Sequence, residues 1–337
     1  MADMISILNT ILDNASAEYQ ERVPTATRDN ISAVGSAIMN FKATENEFLD
    51  ALVNKVALTI VRSKTFKNPL AVLKKGNVPF GTNIEEIYTN PTIGGVYNPS
   101  GSEIFTPTKP DTKVIYHTRN RQGKHTSTIY KSQLMGAFKS VEALEKLLND
   151  IVNSIYSGDS IEEFMLMKNL FGSCIEGGKM KTCDVARVKD EATAKAFIKS
   201  VKTIGQAMSF PSTMYNTYAD INTGETPANT WTPLENQVLL LRNDVSVEVD
   251  VELLARAFNV SYTDLQQRTI IVDDFGTASN CGAILCDNAY VQVYDNLYQL
   301  EDVRNGDGLF TKYILHHWQT YSASIFSNAM AFMMPEA

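Results

Sequence analysis

Cysteine is scarce in this chain: 337 residues carry four, Cys174, Cys183, Cys281 and Cys286, and none stands in a CxxC pair. That excludes a disulfide scaffold and argues against zinc, which draws on short paired ligand spacings. Reduced thiols are the expectation, since Cys281 and Cys286 make only a poor version of such a pair. No stretch approaches the roughly 20 apolar residues that a membrane span needs. The N-terminus, MADMISILNTILDNASAEYQERV, has early acidic residues and no apolar core, so it does not read as a signal peptide. Synthesis and residence in the cytosol, or in something assembled there, is the expectation. A long basic tract is missing too. With a formal net charge of −8, the chain does not look like one whose main task is gripping phosphate.

The motifs that carry chemistry are equally absent. There is no GxxxxGK[ST] loop to cradle phosphates, no GxGxxG, no GxSxG nucleophile elbow and no HExxH. Glycine-rich NGDGLF at 305–310 is more simply a turn entering a strand. His316 and His317 are adjacent, so in a strand their rings face opposite sides and cannot chelate one ion; one belongs to the core and the other to the surface. The carboxylate pairs Glu85–Glu86 and Asp273–Asp274 fall on extended segments, where neighbouring acids point apart. A solvated turn for the second pair and salt-bridge partners for the first are the expectations. No nucleophile, base and orienting group converge. Neither a cofactor nor a metal is called for, and a binding or structural role ranks above an enzyme.

What is present is a folded chain, 44% apolar and 20% charged, and not a disordered tail. An amphipathic helix is predicted over 44–62, opened by a Thr44–Glu47 capping box. Residues 83–113, NIEEIYTNPTIGGVYNPSGSEIFTPTKPDTK, are rich in Pro and Gly yet hold Ile87, Tyr88, Val96, Tyr97, Ile104 and Phe105. Too polar to fold on itself, this stretch reads as a protruding arm whose apolar residues a partner buries. Next comes HTRNRQGKHT at 117–126, with His117, Arg119, Arg121, Lys124 and His125 inside ten positions and QG as its turn.

The strongest helical pattern follows, capped by Ser140, interrupted at Gly158 and restarted by a Ser160–Glu163 capping box through Phe171. A further helix is predicted at 190–208. After it come strand-like runs, QVLLL, VSVEVDV, TIIVDDF, GAILCD and AYVQVYD, with a short helix at Val251–Phe258. A long alternating segment closes the chain. Helix, arm, long helix and mixed sheet make an α+β fold.

Four stretches taken together resemble one family: VPFGTNIEEIYTNP, HTRNRQGKHTSTI, DVELLARAFN and VYDNLYQLEDVRNGDGLF…HHWQTYSASIFSNAMAF. They are similar to the major head protein of small podoviruses of the phi-29 type, in the same order from about residue 20 onward. The resemblance implies the tailed-phage capsid fold of the Hong Kong 97 type. Its parts map as an N-terminal arm and helix at 1–75, an E-loop with peripheral strands at 76–135 and a spine helix at 136–180. An axial domain follows at 181–300, with return strands at 301–337. The family type carries an immunoglobulin-like C-terminal domain, whereas this sequence runs to MMPEA just after the shell fold, so no role of that domain is carried over. Nor is the lysine–asparagine cross-linking of some relatives, for which no motif is seen.

The implied function is a non-enzymatic virion shell protein assembling into pentamers and hexamers around double-stranded DNA, which it binds without sequence specificity. A scaffolding protein and a portal are implied partners, a membrane is not, and assembly would occur in the host bacterial cytoplasm. The acidic balance suits a container along which packaged duplex can slide. Glu85, Glu86, Tyr88, Tyr97, Phe105, Arg119 and Arg121 are the candidate inter-subunit contacts, the arginines for their planar fork, which matches carboxylates. Two alternatives stand beside this reading: an encapsulin-like host compartment, and a nucleic-acid-processing enzyme using the basic cluster.

Overall fold

The computed structural model describes residues 4–49, 51, 66–78, 83–97, 99–101, 107–249 and 269–334. The chain forms two units, each assembled from three separate stretches. Unit 1 takes residues 1–68, 122–163 and 297–318; unit 2 takes 69–121, 164–296 and 319–337.

In unit 1 the helices α1 (Met4–Asp13), α2 (Ala17–Arg22) and α3 (Ile31–Met39) lead into a helical stretch, α4, at 42–49. Met4, Ile7, Leu8 and Ile11 recur at helical spacing and are buried, so α1 presents one apolar stripe. The predicted helix over 44–62 starts two residues early, and its residues 52–62 lie outside the described residues. Its capping box does not form. Thr44 is inside the helix, where its hydroxyl donates to the Ile38 and Phe41 carbonyls. Glu47 instead reaches Ser16, accepting from both its backbone N–H and its hydroxyl at the start of α2.

The rest of unit 1 is built by β4 (Arg121–Tyr130), α5 (Lys131–Ala137), the first part of α6 (Val141–Glu176), and residues 297–318 of β9 (Val291–Asn305) and β10 (Phe310–Ala323). Ile129, Leu144, Ile155, Tyr313 and Leu315 join the α1–α4 residues in one core. α6 is continuous for 36 residues, so the predicted break at Gly158 is absent. A helix-interior glycine costs only about 1 kcal/mol, and burial of the flanking apolar residues outweighs that. Ser160 and Glu163 therefore restart nothing. NGDGLF forms the turn before β10, as its composition implies.

Unit 2 is organised around a mixed five-stranded sheet of β5 (Lys181–Asp184), β6 (Gln237–Arg242), β7 (Thr269–Val272), β8 (Cys281–Asp287) and β11 (Ala329–Met333), in the order β5-β11-β8-β6-β7. β5 and β7 pair in parallel with their neighbours, while β8 runs antiparallel to both of its own. Both faces are covered, which is why QVLLL and GAILCD read as unbroken apolar runs. Leu239, Leu241, Ala283, Leu285 and Phe332 pack against Phe197, Ile198 and Val201 of α7 (Glu191–Met208). Leu240, Ile284, Cys286 and Ala331 face Met167, Phe171 and Cys174 at the end of α6. Asp190 caps α7 by accepting the Thr193 N–H at 2.8 Å.

All four cysteines are free, and burial pushes the Cys281 thiol up to about 12. Falling in sequence between β1 (Gly76–Asn77) and β4, the hairpin strands β2 (Ile84–Thr89) and β3 (Thr112–His117) complete the strand set of the described residues. β1 pairs in parallel with Tyr294 and Asp295 of β9.

Three further expectations need correction. The described part of VSVEVDV, 245–249, does not form a strand: Asn243–Glu248 is the short helix α9, which follows the small helix α8 (Tyr218–Ile221) in chain order. Period-two alternation signals a strand only if one face is buried, and here Val247 is 84% exposed. Asp244 instead accepts the Val245 N–H and the Arg242 fork, favouring a helical turn. Asp273 and Asp274 sit half-exposed in a bend, as the solvated-turn reading has it, but they do not point apart. The chain bends after β7, and both carboxylates converge on Lys168 Nζ, at 2.6 and 2.8 Å. QG is not a turn, because Gln122 and Gly123 lie within β4; the break comes at 118–120. The predicted helix Val251–Phe258 lies outside the described residues.

Candidate assembly surface

The arm region of the sequence is rooted in a two-stranded antiparallel hairpin, β2 against β3, within unit 2. Alternation sorts its residues into two faces. Ile84, Glu86 and Tyr88 lie opposite His117, Ile115 and Lys113 and turn inward, while Glu85, Ile87 and Thr89 lie opposite Tyr116, Val114 and Thr112 and turn outward.

The inner face is fastened to its own unit. Tyr88 donates its hydroxyl to the Asn229 carbonyl at 2.6 Å and stacks on Phe326, which also stacks on Tyr218. Burial raises the Tyr88 phenol above its ordinary range. Asn90 donates to the Asp111 carboxylate and the Pro227 carbonyl, and accepts from the Asn229 N–H. Lys113, 4% exposed, holds Asp111 at 2.9 Å and lies over the Tyr218 ring. The hydrogen bonds from Lys113 and Asn90 hold the Asp111 carboxyl below the usual carboxylate range. Glu86 takes the Ser324 hydroxyl at 2.6 Å and His117 Nε2 at 3.0 Å, while His117 Nδ1 meets Ser322 Oγ at 2.7 Å.

Ser322, His117 and Glu86 thus have the connectivity of a nucleophile–base–acid relay. The histidine is 2% exposed and both ring nitrogens are already engaged within the chain. The arrangement suits a strut holding β3 to β10 better than a site that must meet a substrate.

The outer face is open, and beside Glu85, Thr89 and Thr112 it presents large apolar side chains: Ile87 is 59% exposed, Tyr116 65% and Val114 40%. In the loop beyond, Ile93, Val96 and Tyr97 are almost fully exposed. Phe105 lies outside the described residues. Of the sequence-predicted contacts, Glu85 points outward with its carboxylate accepting from the Tyr116 hydroxyl, whereas Glu86 and Tyr88 serve the root.

HTRNRQGKHT is divided between the units after Arg121. Asn120 bonds both backbone groups of Tyr321, its amide imitating a paired strand residue. Arg121 Nη1 donates to Gln319 Oε1, and Arg119 is half-buried beside it in sequence. His125 belongs to unit 1, 2.9 Å from Glu162 and 3.4 Å from Asp159. The buried His317 meets Asp159 too, at 2.8 Å, while His316 on the opposite face is half-buried. The anchors Asn90, Asp111 and Lys113 were not visible as a site in sequence, because their partners at 226–229 lie more than a hundred residues away. Alternation along IEEIYT was the one available signal.

The one relay-like trio on this hairpin, Ser322, His117 and Glu86, is buried and internally engaged, while the surface the hairpin offers outward is an exposed one on a firmly fixed base. Comparison with known proteins agrees with that character. Residues 8–333 match the family described as Phi29-like phage major capsid protein. The major capsid protein of Bacillus phage PZA is 32% identical over 342 residues, covering 99% of this chain and 73% of the relative. That of Streptococcus phage Cp-1 is 29% identical over 354 residues, covering 99% and 95%. Among solved structures, a chain of the capsid of Staphylococcus phage Andhra superposes with a TM-score of 0.66 at 14% identity, covering 82% of this chain and 87% of that one.

Proposed function

The chain belongs to the Phi29-like phage major capsid protein family, and from that premise we propose how its parts build a head. It is a structural, non-enzymatic protein of the virion with the tailed-phage capsid fold, and its copies assemble into a shell of capsomers. Neither the cargo-compartment reading nor the nucleic-acid-processing reading gains support. The carrying observation is identity of 32% sustained over 99% of the chain. No helix among the described residues is long and apolar enough to cross a membrane.

In the proposed assembly the capsomers are pentamers and hexamers, formed in the host bacterial cytoplasm with a scaffolding protein and a portal. The shell encloses double-stranded DNA without reading its sequence, and the net charge of −8 favours sliding over adhesion. Residues 1–75 act as the N-terminal arm and helix, 76–135 as the E-loop and peripheral strands, and 136–180 as the spine. Residues 181–300 form the axial domain and 301–337 the return strands. The hairpin's outer face and its loop lie against a neighbouring copy, with Glu85, Tyr97 and Phe105 touching it and Glu86 and Tyr88 bracing the root. Arg119 and Arg121 pair with carboxylates of this or a neighbouring subunit. Electron microscopy and sedimentation of the expressed full chain, alone and with co-expressed head-gene products, test the reading. Closed particles are expected; a monodisperse small oligomer under every condition would sink it.

A further inference from the structure

Two stretches of unit 2 carry no charged side chain: residues 206–219, QAMSFPSTMYNTYA, and 226–234, TPANTWTPL. The fold lays them side by side. Ser212 and Thr230 form an antiparallel bridge, their backbones bonded at 2.9 and 3.1 Å, and the Thr232 N–H donates to the Met208 carbonyl at 2.7 Å. What the bridge buries is polar. Asn216, 3% exposed, donates to the Ala228 carbonyl and to Thr230 Oγ1, and Thr230 donates onward to the buried Asn328. What it turns outward is apolar: Phe210 and Met214 are each 69% exposed, and Trp231, between the two buried threonines, is 46% exposed.

This inverts the ordinary distribution of side chains between core and solvent. A loop held so firmly by its polar underside does not expose Phe, Met and Trp because it lacks internal fastening. The three side chains together expose on the order of 400 Å², on two stretches that the bridge holds side by side, and that is the size at which apolar surface on a soluble chain marks an interaction site.

We propose that this face is a contact between copies of the chain, with Trp231 as its central anchor. The inference rests on the shell reading above. Charge selects the occupant. Every copy carries a net −8, so copies repel one another overall, and a face without charged side chains lets them meet without adding like-charge contacts. Packaged DNA is a poor fit, since neither stretch holds a lysine, arginine or histidine to meet phosphate. Tryptophan is also the residue type most enriched where interfaces concentrate their binding energy.

The test uses the full chain. Trp318→Phe leaves Trp231 as the sole tryptophan of a chain that has two. Acrylamide quenching of its fluorescence should fall severalfold when subunits enter particles. Trp231→Asp, at an exposed position, should fold and melt like wild type yet raise the concentration needed for particle formation by about tenfold or more. If wild type forms particles while Trp231 stays equally quenched within them, this inference fails and the shell reading stands. Wild-type assembly of Trp231→Asp alone, with loss of a co-expressed head protein from its particles, would overturn it in favour of another partner. If wild type forms no particles at all, the shell reading fails first. Should Trp231→Asp misfold, the quenching measurement still decides.

Discussion

Glu47 stands three residues after Thr44, where a local capping box would use it, yet its carboxylate takes both the amide and the hydroxyl of Ser16, 31 positions earlier. A capping box and a long-range cap need the same residue types, so sequence spacing cannot tell them apart. Asp273 and Asp274 make the same point, because a bend in the backbone aims both at Lys168. Residue roles were legible where periodicity alone fixes direction, as for His316 and His317 on opposite faces of β10, and illegible where a distant partner decides. Arg119 and Arg121 fall between these cases. Arg121 already donates to Gln319 within its own unit, so part of its role is internal. Replacing both arginines with Ala removes two planar forks at the return of the hairpin. The expected outcome is a folded chain, destabilised by about 1.5–3 kcal/mol for the lost charge-assisted Gln319 bond, that fails to form particles. Thermal melting measures the first part and sedimentation the second; normal particles from the double variant would refute the assembly role.

At the scale of elements, continuous apolar patterning in the sequence specifies structure, and single interruptions of it do not. α7 and the strands β6, β8 and β10 fall where their patterns place them, since buried faces impose period and length together. Gly158 signals a break by local propensity alone, whereas a 36-residue helix with apolar residues on both sides of the glycine absorbs one unfavourable residue. The same helix carries a second glycine with a different purpose. A Cβ at Gly158 would meet only His125 Nδ1, at 3.5 Å, an ordinary contact. At Gly172 it would lie 2.6 Å from the Phe275 carbonyl oxygen and 2.8 Å from the Thr277 nitrogen, backbone atoms that cannot step aside. Gly158→Ala is therefore expected to stabilise the chain by about 0.5–1 kcal/mol, as helix propensity dictates. Gly172→Ala should destabilise it by about 1–3 kcal/mol through overpacking against the turn after β7. Denaturant titration of the two variants checks both signs, and a Gly158→Ala chain that unfolds at lower denaturant would contradict the helix as described.

For the whole molecule, the question is whether the arm is part of the fold or an instrument of assembly. The hairpin closes at its root. The Asn90 N–H donates to the Asp111 carbonyl at 2.9 Å, Asn90 Nδ2 donates to the Asp111 carboxylate at 2.6 Å, and the Thr89 and Thr112 hydroxyls meet at 3.1 Å. Among the described residues, the bonds that fasten the hairpin to the rest of unit 2 lie at that closure or on its near side, through Asn90, Tyr88, Lys113, His117 and Glu86. Beyond it, Ile93, Val96 and Tyr97 meet no core of their own unit, each being 87% exposed or more. Deleting 92–106 leaves five residues between Asn90 and Asp111, a length that hairpin loops commonly have, and a shorter loop costs less closure entropy. The shortened chain should therefore melt within a few degrees of the full one. If the arm lies across a neighbour, removing its apolar residues removes burial worth roughly 25 cal/mol per Å² at every repeat of the contact. Small changes per copy then decide whether a shell closes. The expected result is a folded subunit that sediments as free protein or incomplete capsomers. Closed particles from the deletion, seen by electron microscopy at the wild-type concentration, would show that shell closure does not depend on residues 92–106.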